Sequence, residues 1–407
     1  MNNSPLEFLA KKYGNIVKYD SAGNVSGIFV KFPKMKSSDL VSGLPEHTHP
    51  AFIINGVEQD YILLGKYKGG DNGVANGAIL SLPNINPIRS LGADQCLSRM
   101  KLAGTGITGM TVADYGFIKL LAQKHGWVPK GNTYWGQSHK DATCWEVGKT
   151  LTADTVRAYN GWLYKCLTGH TTSAELRPDL APTYWEKQGQ VGGISNDGTP
   201  DANHQTGYRT LSGTGPLDWY LGSDPANLCD IIGSSLEQQY GYRIVGMELQ
   251  ILENNNAADP EADLSASSAA WKAILPNQSD DGYALVAPGT AGTLHWRWAN
   301  SKITLDNTIT EEEIDGNYRG CNFKDLLVNS TNVPYVPHIL KELGLFPTGA
   351  GDTTEGYYYI HMTSAERFPR RGGYYNSASD SGLGCVGSGD GRGLAGTVFG
   401  CRPRSLD

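Results

Sequence analysis

The residues with the most distinctive chemistry lie in the last forty positions, which contain neither lysine nor glutamate. Arg370-Arg371 opens this segment and Arg402-Pro-Arg404 closes it. Tyrosine supplies rigid contact area in binding surfaces, while serine, glycine and asparagine supply adaptable hydrogen bonds. We therefore expect a recognition surface between the two arginine anchors. Its residues are Tyr374, Tyr375, Asn376, Ser377, Ser379, Asp380, Ser381 and Gly387 to Asp390.

Two other interpretations of this segment have to be weighed. Stretches rich in glycine and serine bury too little apolar surface to fold, so a disordered tail is one alternative. The arginine anchors at both ends are typical of a folded segment and favour order. We expect the basic side chains to pair with carboxylates or loop carbonyls. These are Arg367, Arg370, Arg371, Arg392, Arg402 and Arg404.

His47 and His49 have ligand-like spacing, because alternate residues of a strand point to one face. No third ligand with suitable spacing follows, so a capped loop is the better interpretation.

The acidic segment with Asp259, Glu261 and Asp263 offers the oxygen ligands that calcium takes in proteins. It lacks the spacing of an EF-hand. We therefore expect a solvated loop and no cofactor, with calcium as the alternative.

Seven cysteines are scattered along the chain without a Cys-x-x-Cys pair. Their odd number leaves at least one thiol outside any disulfide. Structural zinc sites commonly contain closely spaced cysteines, so the scattered thiols argue against zinc.

The composition indicates a loop-rich protein that contains β-structure. The 407 residues include 51 Gly, 20 Pro, 9 Trp and 21 Tyr, while only 18% of the residues are charged. A chain of this length can form one large core or two to three domains. Because the net charge is -7, we expect no nucleic-acid partner, which would need a basic stripe.

The N-terminal sequence MNNSPLEFLAKKYGN lacks the basic and apolar runs of a signal peptide. No apolar stretch approaches the roughly 20 residues that a membrane span needs. We expect synthesis in a cytoplasm without a signal peptide, and no membrane insertion.

Two helices are predicted in the first third of the chain, where they would position the later segments. Apolar residues along 91–102 suit an amphipathic helix. Thr111 supplies an N-cap with Asp114 three positions on, and Gly126 ends this second helix. The apolar residues between Thr111 and Gly126 are expected to fill one side of it.

The remaining predicted elements are mostly short. Asn55-Gly56 between apolar runs predicts a hairpin. Single strands are expected at 28–31, 243–252 and 357–360. A short helix is expected at 265–274, and two more within 322–345.

Residues 141–189 differ in character and predict a three-stranded module inserted into the main domain. It contains Trp145, the run from Tyr159 to Cys166, His170 and Tyr184-Trp185. In these residues the segment resembles the small carbohydrate-binding modules of chitinases and phage fibres, in which exposed aromatic side chains stack on sugar rings. On that resemblance the sugar-binding candidates are Trp145, Trp162, Tyr164 and Trp185. The alternative is that these aromatic side chains form the core of the module.

Three features of the sequence belong together: Arg371-Gly372-Gly373, Gly400-Cys401-Arg402 and the helix from Thr111 to Gly126. In these features the chain resembles the formylglycine-generating-enzyme-like branch of the C-type lectin fold. Segments 207–219 and 254–274 are similar to those of phage and prophage members. Those members are variable proteins of diversity-generating retroelements, of the major-tropism-determinant type.

The resemblance implies an α+β protein: a C-type lectin fold of the formylglycine-generating-enzyme-like subtype with a small inserted all-β module. Residues 1–45 would form an N-terminal element. Residues 46–139 and 198–407 would form a discontinuous lectin-like domain, and 140–197 the inserted module. Residues 368–405 would be the variable region.

In such variable proteins a rigid scaffold carries exposed residues whose codons are rewritten at adenines. The resemblance implies variation at Tyr374, Tyr375, Ser377, Ser379, Asp380, Ser381, Gly387, Gly389 and Asp390. It implies a fixed framework at Arg371, Gly372, Gly373, Leu383, Gly384, Arg392 and Arg402. For the two tyrosines, core packing is the alternative.

The resemblance does not extend to catalysis. Formylglycine-generating enzymes need a closely spaced cysteine pair shortly after their Arg-Gly-Gly motif, whereas Cys385 and Cys401 are 16 positions apart. Such spacing does not provide a thiolate pair activated by a neighbouring base. We expect no enzymatic activity.

The expected function is recognition of a bacterial or host surface receptor, protein or glycan, through the hypervariable C-terminal face. The expected location is a phage tail or a bacterial cell surface, after synthesis in the bacterial cytoplasm. Analogy with tail proteins suggests a homotrimer. The alternatives are a carbohydrate-binding protein acting through the inserted module and a degenerate formylglycine-generating-type enzyme.

Overall fold

Five α-helices lie in the part of the chain that the computed structural model describes, residues 5–71, 73, 77–195 and 209–406. They are α1 (Pro5–Lys12), α2 (Ser37–Leu40), α3 (Ala93–Lys101), α4 (Val112–His125) and α5 (His338–Glu342). Helix α3 confirms the helix predicted over 91–102, and α4 confirms the one predicted after Thr111.

Helix α4 lies in the main hydrophobic core. The Thr111 hydroxyl accepts a hydrogen bond from the Asp114 amide, the Asp114 carboxylate accepts one from the Thr111 amide, and Gly126 ends the helix at a φ of 64°. Every residue from Val112 to Ala122 is buried. The expectation that only one side is covered is therefore wrong, because neighbouring elements surround the helix.

Helix α5 packs closely on α4. A Cβ atom added at Gly116 would lie 2.1 Å from the carbonyl oxygen of Glu342, so only glycine permits this approach of the two backbones. Pro337 precedes α5 and the helix ends after Glu342. The close contact fixes the position of α5 against the core.

A five-stranded sheet joins the first third of the chain to its C-terminal segment. Its strands, in spatial order, are β1 (Ile16–Tyr19), β2 (Val25–Pro33), β5 (Tyr61–Gly65), β25 (Pro403–Ser405) and β6 (Ile107–Gly109). Strand β25 pairs antiparallel with both neighbours, with Arg404 opposite Leu64 and Thr108. Strand β2 extends the strand predicted at 28–31 in both directions.

A six-stranded sheet contains three of the four strands of the tail. Its spatial order is β19 (Tyr318–Asn322), β21 (Tyr357–His361), β23 (Gly382–Ser388), β22 (Arg370–Gly372), β12 (Leu236–Gln238) and β24 (Phe399–Gly400). Strands β21 and β23 are parallel, as are β12 and β24. The segment from Phe368 is thus built into the sheet, and the alternative of a disordered tail is wrong.

A seven-stranded sheet completes the main core. It contains β13 (Tyr242–Val245), β14 (Glu248–Ile251), β15 (Lys272–Pro276), β16 (Tyr283–Val286), β17 (His295–Ala299), β18 (Lys302–Asp306) and β20 (Leu327–Val328). Buried side chains from this sheet, from the six-stranded sheet and from α4 and α5 form one hydrophobic cluster.

The segment 141–189 contains the three predicted strands, paired in the order β11 (Trp185–Gln190), β9 (Trp162–Cys166) and β8 (Val156–Tyr159). A second small sheet pairs β7 (Thr150–Leu151) with β10 (His170–Thr171). These strands enclose an aromatic cluster of their own. The predicted boundary at 197–198 lies outside the described residues, as does the start of the segment 207–219.

Three predictions of secondary structure need correction. Residues 243–252 form the hairpin of β13 and β14 rather than one strand, because the chain turns at Gly246 and Met247 with positive φ angles. The helix predicted at 265–274 is absent: Asp263 and Trp271 hydrogen-bond the backbone of Ser265, and β15 begins at Lys272.

The two helices predicted within 322–345 reduce to α5 and a 3₁₀ turn at Phe323–Asp325. The Asn55-Gly56 hairpin is confirmed as β3 (Ile53–Ile54) and β4 (Val57–Glu58), with positive φ at both turn residues.

The fold is mixed α+β, with many strands and few helices. Among the helices of the described ranges, none has both the length and the apolar character of a membrane span.

Candidate functional site

The arginine side chains near both ends of the tail are buried. Arg371 donates to the carbonyls of Gly344 and Leu383, both at 3.0 Å, and its guanidinium lies 4.5 Å from the ring centroid of Tyr115. Arg402 donates to the Glu237 carboxylate. The expected pairing of arginines with carboxylates and loop carbonyls is confirmed at both positions. They hold the backbone that displays the candidate residues.

The loop 373–381 is fixed by backbone contacts with the preceding loop at 132–139. The Ala378 amide donates to the Thr133 carbonyl at 3.0 Å, and the Trp135 amide donates to the Tyr375 carbonyl at 2.8 Å. The rings of Trp135 and Tyr375 lie 5.1 Å apart, and those of Tyr374 and Tyr375 lie 5.5 Å apart. Both tyrosines are half-buried, so part of each ring packs against the protein.

The candidate residues of this loop differ in exposure. Ser379 and Asp380 are exposed and Ser377 is half-buried. Ser381 is only 3% exposed and lies under Gly373, whose added Cβ would come within 2.3 Å of the Ser381 hydroxyl. Ser381 as a residue of the exposed surface is therefore wrong, because Gly373 covers it.

The second group of candidates lies at the end of β23. Gly387 is paired with Arg370 on β22 and with Tyr359 on β21. A Cβ at Gly389 would lie 3.0 Å from the Tyr359 ring and 3.4 Å from the Tyr318 ring. A side chain at position 389 would therefore contact these aromatic rings.

Asp390 is held by the framework. Its carboxylate accepts a hydrogen bond of 3.2 Å from the buried guanidinium of Arg370, and its carbonyl accepts one from the Phe368 amide. Arg370 also stacks on Phe399, with 3.6 Å between guanidinium and ring centroid. Replacement of Asp390 would remove the carboxylate partner of a buried arginine.

An aromatic stack that the sequence analysis did not identify lies beside Gly387 and Gly389. Tyr318 is 51% exposed and Tyr359 is 39% exposed, and their rings are stacked with centroids 5.4 Å apart. The His361 ring stacks on Tyr318 at 4.1 Å. The alternation of residues along β21 could have indicated this stack, because successive side chains of a strand point to opposite faces. Tyr358 and Ile360 are buried, whereas Tyr357, Tyr359 and His361 on the other face are more exposed.

We call the more exposed residues on β19, β21 and β23 the outer face. They are Tyr318, Tyr357, Tyr359, His361 and Gly387. Gly389 as an exposed candidate is wrong, because it is buried against the rings of Tyr359 and Tyr318.

Acidic side chains from both candidate groups influence the outer face. Burial, and then the Asp380 carboxylate, raises the pKa of Tyr357. Burial raises the pKa of Tyr359 as well, with contributions from Tyr318 and Asp390. The first candidate group thus affects Tyr357 and the second affects Tyr359, two positions apart on β21.

A cavity of about 150 Å³ borders the exposed loop at Ser379, with His139 and Lys324 in its lining. A larger cavity of about 390 Å³ lies nearby and shares the segment Thr353 to Glu355 with it. Concave surface thus borders the loop 373–381 at Ser379.

The sugar-binding candidates of the inserted module are mostly core residues. Trp145, Trp185 and Tyr164 are 0%, 3% and 7% exposed and belong to the aromatic cluster of the module. They are wrong as sugar-stacking residues, because buried rings offer no face to a ligand. Trp162 is half-buried, and the ammonium of Lys187 lies 3.4 Å from the centroid of its ring.

All seven cysteines are buried and free. Burial raises the pKa of the Cys385 thiol to about 12. The Cys401 thiol interacts instead with Cys96, and the pKa of Cys401 is raised through this hydrogen bond and burial. Neither thiol is readily ionised, and the two have different surroundings.

The carboxylates of the acidic segment bind nearby protein groups. Asp259 accepts hydrogen bonds from the Asn55 amide group at 2.6 Å and from the Glu261 backbone, while Asp263 accepts from the Ser265 backbone. Among the described residues this segment does not form a cluster of converging ligands.

His47 and His49 have different environments. His49 is fully buried between the Glu342 carbonyl and the Ala51 amide, and burial lowers its pKa to about 4. His47 instead lies beside Glu342 and His338, and these three side chains place ligand atoms within 4.8 Å of one another. The predicted capped loop is confirmed, because the His49 side chain caps the 3₁₀ turn Pro50–Phe52 by accepting a hydrogen bond from the Ala51 amide. The two side chains beside His47 come from α5, so the spacing after His47 and His49 did not indicate them.

No protein-family profile matches the sequence, and no curated protein matches it with significant similarity.

Proposed function

We propose that this chain is a non-enzymatic receptor-binding protein whose outer face and adjoining loop 373–381 contact a bacterial or host surface receptor. The scaffold is proposed to be a C-type lectin fold of the formylglycine-generating-enzyme-like subtype. The tail would supply exchangeable contact residues, as in variable proteins of diversity-generating retroelements. The proposed setting is a phage tail or bacterial surface, with the chain as a homotrimer.

The observation that carries this proposal is the meeting of candidate variable residues with an exposed aromatic stack. Gly387 and Gly389 lie next to Tyr359, which stacks on Tyr318. Aromatic side chains dominate many binding surfaces because they bury a large area with few rotatable bonds. A substitution at Gly387 would therefore alter the chemistry beside a constant aromatic anchor, whereas a side chain at Gly389 would displace the rings themselves.

The burial of the framework supports the same proposal. Arg371 and Arg402 are completely buried, whereas Ser379 and Asp380 are exposed. Exchange of exposed side chains usually changes stability by less than about 0.5 kcal/mol. Such a surface can take many sequences while the scaffold remains folded.

The cysteine environments support the absence of catalysis in this proposal. A nucleophilic or metal-binding cysteine acts as its thiolate. Burial disfavours the thiolate of Cys385, and Cys401 lies with Cys96 instead of with Cys385.

The proposal can be tested with labelled protein on a panel of bacterial cells and on a glycan array. We expect binding to at least one cell surface or glycan. Tyr359→Ala should reduce that binding at least tenfold, because it removes the ring of the aromatic stack that lies next to Gly387. Tyr335→Ala is the matched control, since Tyr335 is 47% exposed and lies outside the outer face.

Equal binding by Tyr359→Ala and the unchanged protein would contradict the proposed face. Loss of binding with Trp162→Ala alone would assign recognition to the inserted module.

Diversification of the tail is tested separately, by sequencing the neighbouring DNA. We expect a reverse-transcriptase gene and a near-copy of the tail coding sequence that differs only at adenines, and a flank without either would contradict a diversified locus.

A further inference from the structure

Three potential ligand side chains converge at a place that the proposed recognition function does not use. His47 lies between α2 and the 3₁₀ turn Pro50–Phe52, whereas His338 and Glu342 lie one helical turn apart on α5. Their ligand atoms all lie within 4.8 Å of one another. Two segments separated by 295 positions in the sequence thus meet in one small cluster.

The orientation of His338 is set by its second ring nitrogen. Nδ1 lies 2.8 Å from the carbonyl oxygen of Asp281. Because a carbonyl only accepts hydrogen bonds, Nδ1 carries the proton, and Nε2 of the neutral ring presents a lone pair. Hydrogen bonds of this kind orient the histidine ligands of metal ions in proteins.

The Glu342 carboxylate has one satisfied and one unsatisfied oxygen. Its side chain is completely buried, and Oε1 accepts hydrogen bonds from the Ser37 hydroxyl and from His47 Nε2, the latter at 2.6 Å. Oε2 is buried and has no hydrogen-bond donor among the described residues. A buried polar atom without a partner is costly, so such an atom points to a missing ligand.

The unsatisfied oxygen faces the lone pair of His338. Glu342 Oε2 lies 4.0 Å from His338 Nε2, which is too long for a hydrogen bond. Two acceptor atoms that face each other across a gap gain from a cation between them. The cluster therefore has the electrostatic character of a cation site.

We propose that His47, His338 and Glu342 bind one divalent metal ion of the zinc type, with the fourth position open to water. Zinc bonds to nitrogen and oxygen are about 2.0–2.2 Å long, so two ligands of a tetrahedral ion lie roughly 3.3 Å apart. The separations of 2.6 Å and 4.0 Å lie on either side of that spacing. The side chain of His47 is 42% exposed, which gives its ring room to move and the ion a route to solvent.

The ligand types favour zinc over calcium or magnesium. Calcium and magnesium prefer ligand sets made of oxygen, whereas two imidazoles and one carboxylate suit zinc and its neighbours in the transition series. A bound ion would join the loop that holds His47 to α5. It would thereby fasten an early segment of the chain to the main core.

The test uses the whole chain, freed of metal with a chelator and titrated with Zn²⁺ against a chromophoric competitor. We expect one tight equivalent per chain, and at least tenfold weaker binding for His47→Ala and for His338→Ala. His295→Ala is the control, because His295 Nδ1 also hydrogen-bonds a backbone carbonyl but the residue lies outside the cluster. The control should bind Zn²⁺ as the unchanged protein does.

Cobalt gives a second readout that does not depend on affinity. We expect visible Co²⁺ absorption of a four- or five-coordinate nitrogen and oxygen site, lost in both histidine variants. His47 is the more exposed ligand, so circular dichroism of His47→Ala in chelator should match the unchanged protein. Absence of a stoichiometric site, undiminished binding by His47→Ala and His338→Ala, or strong thiolate-to-cobalt bands would each overturn the proposal.

Discussion

Glycines on the same strand have different roles in this protein. On β23, a Cβ at Gly384 would lie 2.7 Å from the Phe323 ring, while a Cβ at Gly387 would have its nearest neighbour at 3.8 Å. The first position is filled by the core and the second borders the outer face. We therefore propose Gly384 as a framework position and Gly387 as an exchangeable one.

We predict that Gly384→Ala lowers the free energy of unfolding by about 1–3 kcal/mol, because overpacking displaces the Phe323 ring. Gly387→Ala should change it by less than about 0.5 kcal/mol. Urea unfolding followed by tryptophan fluorescence measures both, each variant serving as the control of the other. Equal losses in the two variants would contradict the division into framework and exchangeable positions.

The protonation of the Asp306 carboxylate makes the stability of the fold depend on pH in the acid range. Burial alone would raise its pKa, but hydrogen bonds from Asn329, Asn332 and Arg297 outweigh this and hold the pKa below its usual value of 3.8. The unfolded chain therefore binds a proton at Asp306 more readily than the folded protein does. The stabilisation is complete above about pH 4 and is lost as the pH falls through the lowered folded pKa.

We predict that Asp306→Asn lowers the free energy of unfolding by about 2 kcal/mol at pH 7, because three half-buried donors lose a charged acceptor. The difference from the unchanged protein should shrink as the pH falls below about 4. Urea unfolding at a series of pH values measures this difference. Asp60→Asn is the control, since its side chain is 89% exposed, and a constant difference for Asp306→Asn across the series would contradict the assignment.

At the scale of elements, the inserted module depends on its aromatic core. Trp185 is 3% exposed, and its indole N–H donates to the Leu176 carbonyl at 2.8 Å. Trp162 is half-buried at the edge of the same cluster. The two tryptophans, which look equivalent in the sequence, therefore contribute unequally to the fold.

We predict that Trp185→Ala costs about 3–5 kcal/mol and unfolds the module, as expected for a large buried ring. Trp162→Ala should cost less, because part of the ring is already in contact with solvent. Hydrogen exchange of amides in 150–190, compared with amides of α4, separates local from global unfolding. If the amides of the module remain protected from exchange in Trp185→Ala, the prediction is wrong.

The elements predicted most reliably were those that have capping or turn residues in the sequence. Thr111, Asp114 and Gly126 defined α4, and Asn55-Gly56 defined a hairpin, because caps and turns depend on residues close together in the sequence. The hairpin at Gly246-Met247 was missed because methionine rarely adopts a positive φ, and only the surrounding sheet selects it. The helix predicted at 265–274 failed because side-chain hydrogen bonds to the backbone outweighed its apolar pattern.

The sites were harder to predict than the elements, because they depend on pairing between distant segments. The stack of Tyr318 on Tyr359 follows from the register of β19 against β21, with Tyr318 opposite His361. The cluster of His47 with Glu342 follows from the packing of α5 on α4. No local pattern encodes either contact.

At the scale of the whole molecule, Arg402 connects the two sheets that contain the tail. Its guanidinium donates to the carbonyls of Gly65 and Lys66 at the end of β5, to that of Cys229, and to Glu237 on β12. Glu237 also pairs with the buried ammonium of Lys68 at 2.7 Å. One side chain thus satisfies buried acceptors from three separate segments.

We predict that Arg402→Lys lowers the free energy of unfolding by about 3 kcal/mol, because a lysine cannot reproduce the fork of hydrogen bonds and leaves buried acceptors unpaired. Thermal and urea unfolding measure the loss. Arg89→Lys is the control at an exposed arginine and should be neutral. A neutral Arg402→Lys would show that the network does not hold the sheets together.

The position of β25 between β5 and β6 also determines when the protein can fold during its synthesis. Residues 66–402 separate β5 from β25, and a ribosome that adds roughly 5–20 residues per second needs on the order of 20–70 s to make them. Until then, β5 and β6 each keep an unpaired edge, and such edges recruit other chains. Growth temperature and chaperone supply should therefore control how much of the nascent protein escapes aggregation.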